Sequence, residues 1–409
     1  MPMLVIARLL QGAGSGPMVA LSQALLLNNY PPERRGIALA IWAMTVVVAP
    51  IFGPILGGWI TDNYTWPWIF FINVPVGVLA AFVTWTLLKG RESSAMKIPL
   101  DYVGLILLVL GVGCLQFMLD NGNDKDWFSS PLILTLGIVA AVCLTFFIAW
   151  ELTDEHPVVD LSLFRKRNFA VGVVALAFGM VGFFGINVIF PLWLQTDLNY
   201  TATWAGLATA PVGILAFLIS PIVGKNIQKF ELRTVATIAF CIFGGCAIWF
   251  SKFPSDAAFG SLVWPRFIMG AGIACFFVPI NQIILSGLKP AQIASAAGIS
   301  NFCRTLAASF STAAMVTLYQ HRADFHHAVF AEHLNVTNPA VNNYVNGLTA
   351  IGAQTKGAWA AIDSVVTREA LTSSVNDVFI LCAILFFAMI PVIWFSKPPF
   401  GTVGAGGGH

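Results

Sequence analysis

Residues 170–194 read AVGVVALAFGMVGFFGINVIFPLWL, without one charged side chain. About 20 apolar residues in a helix are enough to cross the hydrocarbon core of a bilayer. Within that core the backbone groups must be bonded inside their own segment, so the run predicts a membrane-spanning helix. Five further apolar runs precede it, at Leu4–Leu27, Ile37–Ile60, Trp68–Leu88, Leu100–Leu119 and Pro131–Trp150. Five follow it, at Trp204–Val223, Thr234–Phe250, Leu262–Leu285, Ile293–Leu318 and Val378–Phe395. The sequence therefore predicts an all-α polytopic membrane protein with eleven spans.

Composition excludes the main alternatives. Of the 409 residues, 57% are hydrophobic and 10% charged, against about 25% charged in soluble domains. The formal net charge of +2 excludes a nucleic-acid binder that works by bulk positive charge. The apolar content excludes a disordered chain. The seven cysteines form no CxxC and lie in apolar runs, which points to packing rather than to disulfides. No Ser-His-Asp set, HExxH or intramembrane His/Asp cluster suggests an enzyme. His321, His326, His327 and His333 have no cysteine beside them, so a solvated helix face is favoured over a metal site.

The loops divide by charge. One set carries thirteen Lys and Arg, among them Arg34, Arg35, Arg165, Lys166 and Arg167, whereas the opposite set carries five. The positive-inside rule puts the richer set, and with it the C-terminus, in the cytoplasm. The long segment between Gln320 and Ser374 is then outside. Val341, Tyr344, Val345 and Leu348 recur there at helical spacing, as do Trp359, Ile362 and Val366, so two short amphipathic helices are expected within that loop.

An internal repeat appears at an offset of 258. Arg8-Leu9-Leu10-Gln11-Gly12-Ala13-Gly14 matches Arg266-Phe267-Ile268-Met269-Gly270-Ala271-Gly272, and Leu27, Pro32 and Ala38 match Leu285, Pro290 and Ala296. Parallel repeats of this kind build transporters whose two halves surround a midplane site. Three spans precede the Arg-containing one in the second half and none precedes it in the first. The expected organisation is three helices of an N-terminal bundle (1–88), two linker spans (89–167), a six-helix C-terminal bundle (168–396) that includes the loop 320–374, and a Gly-rich tail (397–409). Equal halves would give fourteen spans, and the sequence reads as a product lacking three N-terminal helices.

Several stretches carry a resemblance. Arg8 to Gly16 resembles the RxxQGxGxG motif of drug:proton antiporters, and Pro50-Ile51-Phe52-Gly53-Pro54-Ile55-Leu56-Gly57-Gly58 resembles their antiporter motif. Trp68 to Pro75 resembles the WxxIFxINVP stretch, and Gly224-Lys225 with Arg233 is similar to a degraded basic loop motif. Together they resemble the 14-helix drug:proton antiporter family of the major facilitator superfamily. The resemblance implies a major facilitator fold in a bacterial inner membrane, with no cofactor and the proton as coupling ion. It implies hydrophobic small-molecule substrates and contact with membrane lipid. Its implied partners are a periplasmic membrane-fusion adaptor and an outer-membrane channel. Export of a specific metabolite or siderophore, and a fragment that does not transport, stay open as alternatives.

Buried charges in hydrocarbon are costly and mark function. Arg8 with Gln11, and Arg304 with Asn301, are the candidate central charges, and by resemblance Arg8 belongs to proton coupling. Arg266, near a span end beside Trp264 and Pro265, is expected to snorkel outward. Pro50, Gly53, Pro54, Gly57 and Gly58 are expected to seal the halves against leak, with Ala308 and Thr312 standing at the repeat positions of the two prolines. Gly12, Gly14 and Gly16, with Gly270 and Gly272, are expected to allow close helix packing. No strand precedes the first set, which argues against a phosphate loop. Gln116, Asn187, Asn281 and Gln282 are candidate polar anchors of a pocket. The carboxylates Asp62, Asp101, Asp120, Glu151 and Asp197 all sit at span ends.

Overall fold

The computed structural model describes residues 2–31, 38, 42, 52–89, 101–154, 159–332, 334, 339–350, 354–398 and 400. Pro50, His333 and the Gly-rich tail from 401 onward lie outside these residues, as do the first positions of the expected second span. The described residues contain helices and no strand. In chain order the helices are α1 (Pro2–Asn29), α2 (52–63), α3 (Trp68–Phe71), α4 (Asn73–Leu88), α5 (Tyr102–Asn121), α6 (Pro131–Glu151) and α7 (Arg167–Thr196). They continue with α8 (Ala202–Thr209), α9 (Pro211–Asn226), α10 (Leu232–Phe250), α11 (Phe259–Leu285), α12 (Pro290–Glu332), α13 (Pro339–Ala350) and α14 (Thr355–Trp394).

Eight of the expected spans coincide with helical segments long and apolar enough to cross a membrane. These are α3 with α4, α5, α6, α7, α8 with α9, α10, α11 and α14. Two other expected spans fall on α1 and α12, each with an arginine inside it.

Local chemistry sets the helix ends. The Asp101 side chain accepts from the Gly104 amide at 2.9 Å and starts α5. The Thr201 side chain caps α8 in the same way. Pro131 and Pro211 stand at the first turns of α6 and α9, where the missing N–H has no intrahelical partner to lose. Trp150 donates from its indole nitrogen to the Asp101 carboxylate at 3.1 Å and ties α6 to α5.

One apolar core unites α7, α9, α10, α11, α12 and α14. At its centre Phe243 meets Phe183, Phe276 and Phe386, with ring centroids 5.1–6.0 Å apart. Offset and edge contacts of this kind hold aromatic rings together beyond simple area burial. About 61% of the apolar window of α7 is buried, against none of that of α3–α4. The apolar side chains of α3 and α4 are thus exposed among the described residues.

The segment 320–374 differs from expectation. Of the two short helices expected there, the first is present as α13, and the second is the start of a long helix. The 43-residue α12 runs on to Glu332, and the 40-residue α14 begins at Thr355. The residues Trp359, Ile362 and Val366 lie on the first turns of α14, whereas Val341, Tyr344, Val345 and Leu348 form α13. Val341, Ile362 and Val366 are buried together against Phe330, Val345 and Trp359 in a small separate core. Val341 and Val345 of the first stripe meet the second, whereas Tyr344 is exposed. Asp377 of α14 accepts from Arg322 Nε and meets His326 Nε2, both at 2.7 Å, which fastens α12 to α14.

Candidate transport site and interhelix seams

The two arginines of the repeat stand in different surroundings. Arg8 is exposed on α1. It donates from Nη1 to Gln11 Oε1 at 2.8 Å and lies 4.4 Å from the centre of the Phe70 ring. Both residues line a cavity of about 390 Å³ whose other walls are mainly apolar, among them Leu4, Trp66, Phe70 and Phe71.

Arg266 does not snorkel; it is 0% exposed. It donates from Nη1 to Asn187 Oδ1 and from Nη2 to the Ile186 carbonyl, each at 3.1 Å. Its guanidinium lies 4.4 Å from the Phe190 ring centre and 5.5 Å from that of Phe250. Its Nε has no partner among the described residues. The physical reason is the aromatic wall: ring faces and two oxygen acceptors inside the bundle replace the water that an outward-facing guanidinium would reach.

The glycines that follow each arginine diverge in the same sense. A Cβ on Gly270 would overlap the Val212 carbonyl of α9, and one on Gly272 would lie 2.6 Å from the Phe243 ring. These two glycines let α11 approach α9 and α10 closely. Among the described residues, a Cβ on Gly12, Gly14 or Gly16 would meet nothing within 4 Å.

The antiporter-like stretch makes a second seam. A Cβ on Gly58 would overlap the Ala202 carbonyl of α8, and one on Gly206 would overlap the Pro54 carbonyl of α2. The two helices thus touch backbone to backbone, in reciprocal fashion. Among the described residues, nothing lies within 4 Å of a Cβ on Gly53 or Gly57. Just past the seam, Asp62 Oδ2 accepts from the Thr203 amide at 2.8 Å and also from the Thr203 hydroxyl. Those bonds hold the Asp62 carboxyl below its ordinary pKa of 3.8.

The remaining candidates are dispersed. Asn301 is half-buried and donates to the Ala297 carbonyl of its own helix at 2.9 Å. Arg304 is half-buried, with no hydrogen bond or ion pair among the described residues. Asn281 donates to the Phe277 carbonyl, and Gln116 donates to Asp120, both at 2.8 Å. Gln282 is half-buried on α11. Of the four pocket anchors, only Asn187 is joined to one of the repeat arginines.

Asp197 is a buried carboxylate at the end of α7, 5% exposed. It accepts from Thr372 Oγ1 at 3.2 Å, and Trp193 donates to the same hydroxyl at 3.3 Å. Burial raises its pKa to about 6, against the lowering effect of the bonds from Thr372 and Trp193.

Apolar helices long enough to cross a membrane, with a buried arginine and glycine-lined contacts between them, fit a membrane transporter. The sequence matches the Major Facilitator Superfamily over residues 1–312, and the chain belongs to that family. It is 47% identical over 407 residues to "Multidrug export protein EmrB" of Escherichia coli strain K12, covering 99% of this chain and 80% of that protein. It is 45% identical over 406 residues to "Fatty acid resistance protein FarB" of Neisseria gonorrhoeae, with the same coverage of each. "Multidrug export protein EmrB" of Haemophilus influenzae is 46% identical over 400 residues, covering 98% and 78%.

Proposed function

We propose that this chain exports hydrophobic drugs across a bacterial inner membrane, driven by inward proton flow, by alternating access between two helix bundles. The observation that carries the reading is its likeness, along nearly its whole length, to proteins named for multidrug export. The name of a third relative adds fatty acid resistance, which is consistent with amphiphilic cargo. The cavity beside Arg8 supports the same reading. Multidrug pockets are mostly apolar and aromatic with a few polar anchors, and here Arg8 and Gln11 are those anchors.

In the proposed topology the basic loops face the cytoplasm, and so does the C-terminus. The boundaries 1–88, 89–167, 168–396 and 397–409 separate the N-terminal bundle, linker hairpin, C-terminal bundle and tail. The α2–α8 seam then lies toward the outer surface and closes that side against proton leak. Arg8 tunes the coupling proton. The projecting ends of α12 and α14, with α13, meet a periplasmic adaptor that hands cargo to an outer-membrane channel.

Everted membrane vesicles containing the chain test this reading. With an inward-acid gradient in place, a hydrophobic drug that is carried should release protons and weaken the gradient in a dose-dependent way. An Arg8→Ala chain, present at equal amount, should lose most of that response. A gradient that no drug disturbs, with no gain in drug resistance in an efflux-deficient host, would overturn proton-driven export.

A further inference from the structure

The α2–α8 seam holds one side-chain contact that the sealing glycines do not explain. Asp62 lies one turn beyond Gly58 on α2, and its Oδ2 takes both the amide and the hydroxyl of Thr203 in the first turn of α8. The Thr201 hydroxyl already caps α8, 3.4 Å from the Trp204 amide. The helix start thus has its own cap, and the Asp62 bonds are additional to it. The N-terminal amides of a helix carry partial positive charge, which favours a carboxylate brought to them. The two glycine contacts bring the backbones together but have no directional bond. The Asp62 bonds supply direction, and they join helices that belong to different repeat units.

We infer that Asp62 is the latch of the outer gate: its bonds to Thr203 hold α2 against α8 and must break before the outer side opens. The inference rests on the alternating-access reading and on the topology given above. Opening separates the helices end to end, so the bonds at the far end of the seam part first. The two Thr203 bonds lead the set, and the Thr201 side chain and the Ala202 amide act on the same carboxylate more weakly. Losing the acceptor favours the outward-open state, whereas the glycine contacts still set how closely the gate shuts.

Site-directed labelling tests the latch independently of transport. Ile55 faces α8 beside Gly206, with its Cα 3.4 Å from where a Gly206 Cβ would stand. Ile55→Cys, in a chain whose native cysteines are replaced by alanine, is exposed to a membrane-impermeant maleimide from the outer side. Asp62→Ala should speed its labelling by about three- to tenfold, and Asp62→Asn or Thr203→Val by about twofold, as expected for the loss of charge-assisted and neutral bonds. Asp120→Asn should leave the rate unchanged, because Asp120 bonds Gln116 within α5. Unchanged labelling in Asp62→Ala and Thr203→Val overturns the latch. If Asp62→Ala fails to accumulate as a folded chain, Asp62→Asn and Thr203→Val decide. Faster labelling in a chain that confers no drug resistance would keep the latch and overturn the exporter reading.

Discussion

Residues 8–14 and 266–272 share a pattern of arginine, two glycines and one alanine, yet only the second copy is enclosed. Arg266 is buried among Asn187, Phe190 and Phe250, whereas Arg8 is exposed beside Gln11 and Phe70. Gly270 and Gly272 lie against α9 and α10, whereas Gly12 and Gly14 have open space among the described residues. The motif therefore does not create its own environment. It permits close approach and carries a charge, and the neighbouring helices decide whether either property is used.

Substitution at the glycines should break the comparison most sharply. Gly270→Val forces a branched side chain onto the Val212 carbonyl and should destabilise the bundle by about 3 kcal/mol, at the upper end of overpacking effects. Thermal unfolding in detergent checks this, with Gly12→Val as the matched change at the open copy.

The next effect is one of pH. The folded-state pKa of Asp197 is raised to about 6 from 3.8 by burial. Its contribution to stability is fully present below about pH 4 and is lost as pH rises through 6. The C-terminal bundle should lose about 2 kcal/mol between pH 4 and pH 8 through this group, and Asp197→Asn should remove that slope. Asp62 has the opposite sign, because its pKa is lowered. Its contribution is present above the ordinary carboxylate value and is lost as pH falls below it. Opening of the α2–α8 seam, read by the mobility of a spin label at residue 55, should therefore rise only in strong acid.

A smaller effect separates the two arginines. Arg266→Met removes a buried cation that has no carboxylate partner, and should stabilise the bundle by about 1 kcal/mol, as replacing buried charge by apolar groups often does. Arg8→Met, at an exposed site, should change stability by less than about 0.5 kcal/mol. The smallest effect belongs to Gly12→Ala, which should be neutral or slightly stabilising through helix propensity. If Gly12→Ala and Gly270→Ala cost the same, the contrast between the copies would fail.

The spans were legible because hydrocarbon imposes a length and a composition on any helix that crosses it. The repeat was legible because it preserved a register of residue types. The surroundings of Arg266 were not. Its nearness to Trp264 and Pro265 suggested a span end, and only the fold brings Phe190 of α7 and Phe250 of α10 over its guanidinium. The segment 320–374 misled for a different reason. Its polar composition marks departure from the membrane, and helices that continue into water look like loops when read for hydropathy alone. The Asp62 bonds to Thr203 join residues 141 positions apart, a distance at which sequence spacing gives no guidance.

The continuity of α12 and α14 has a mechanical consequence. At 1.5 Å per residue the two helices are each about 60 Å long, and the Arg322–Asp377–His326 contacts tie one to the other. Joined rods of that length act as a lever. A tilt of about 10° at one end displaces the other by about 10 Å, so a small rocking of the bundle is magnified where α13 sits at the far end.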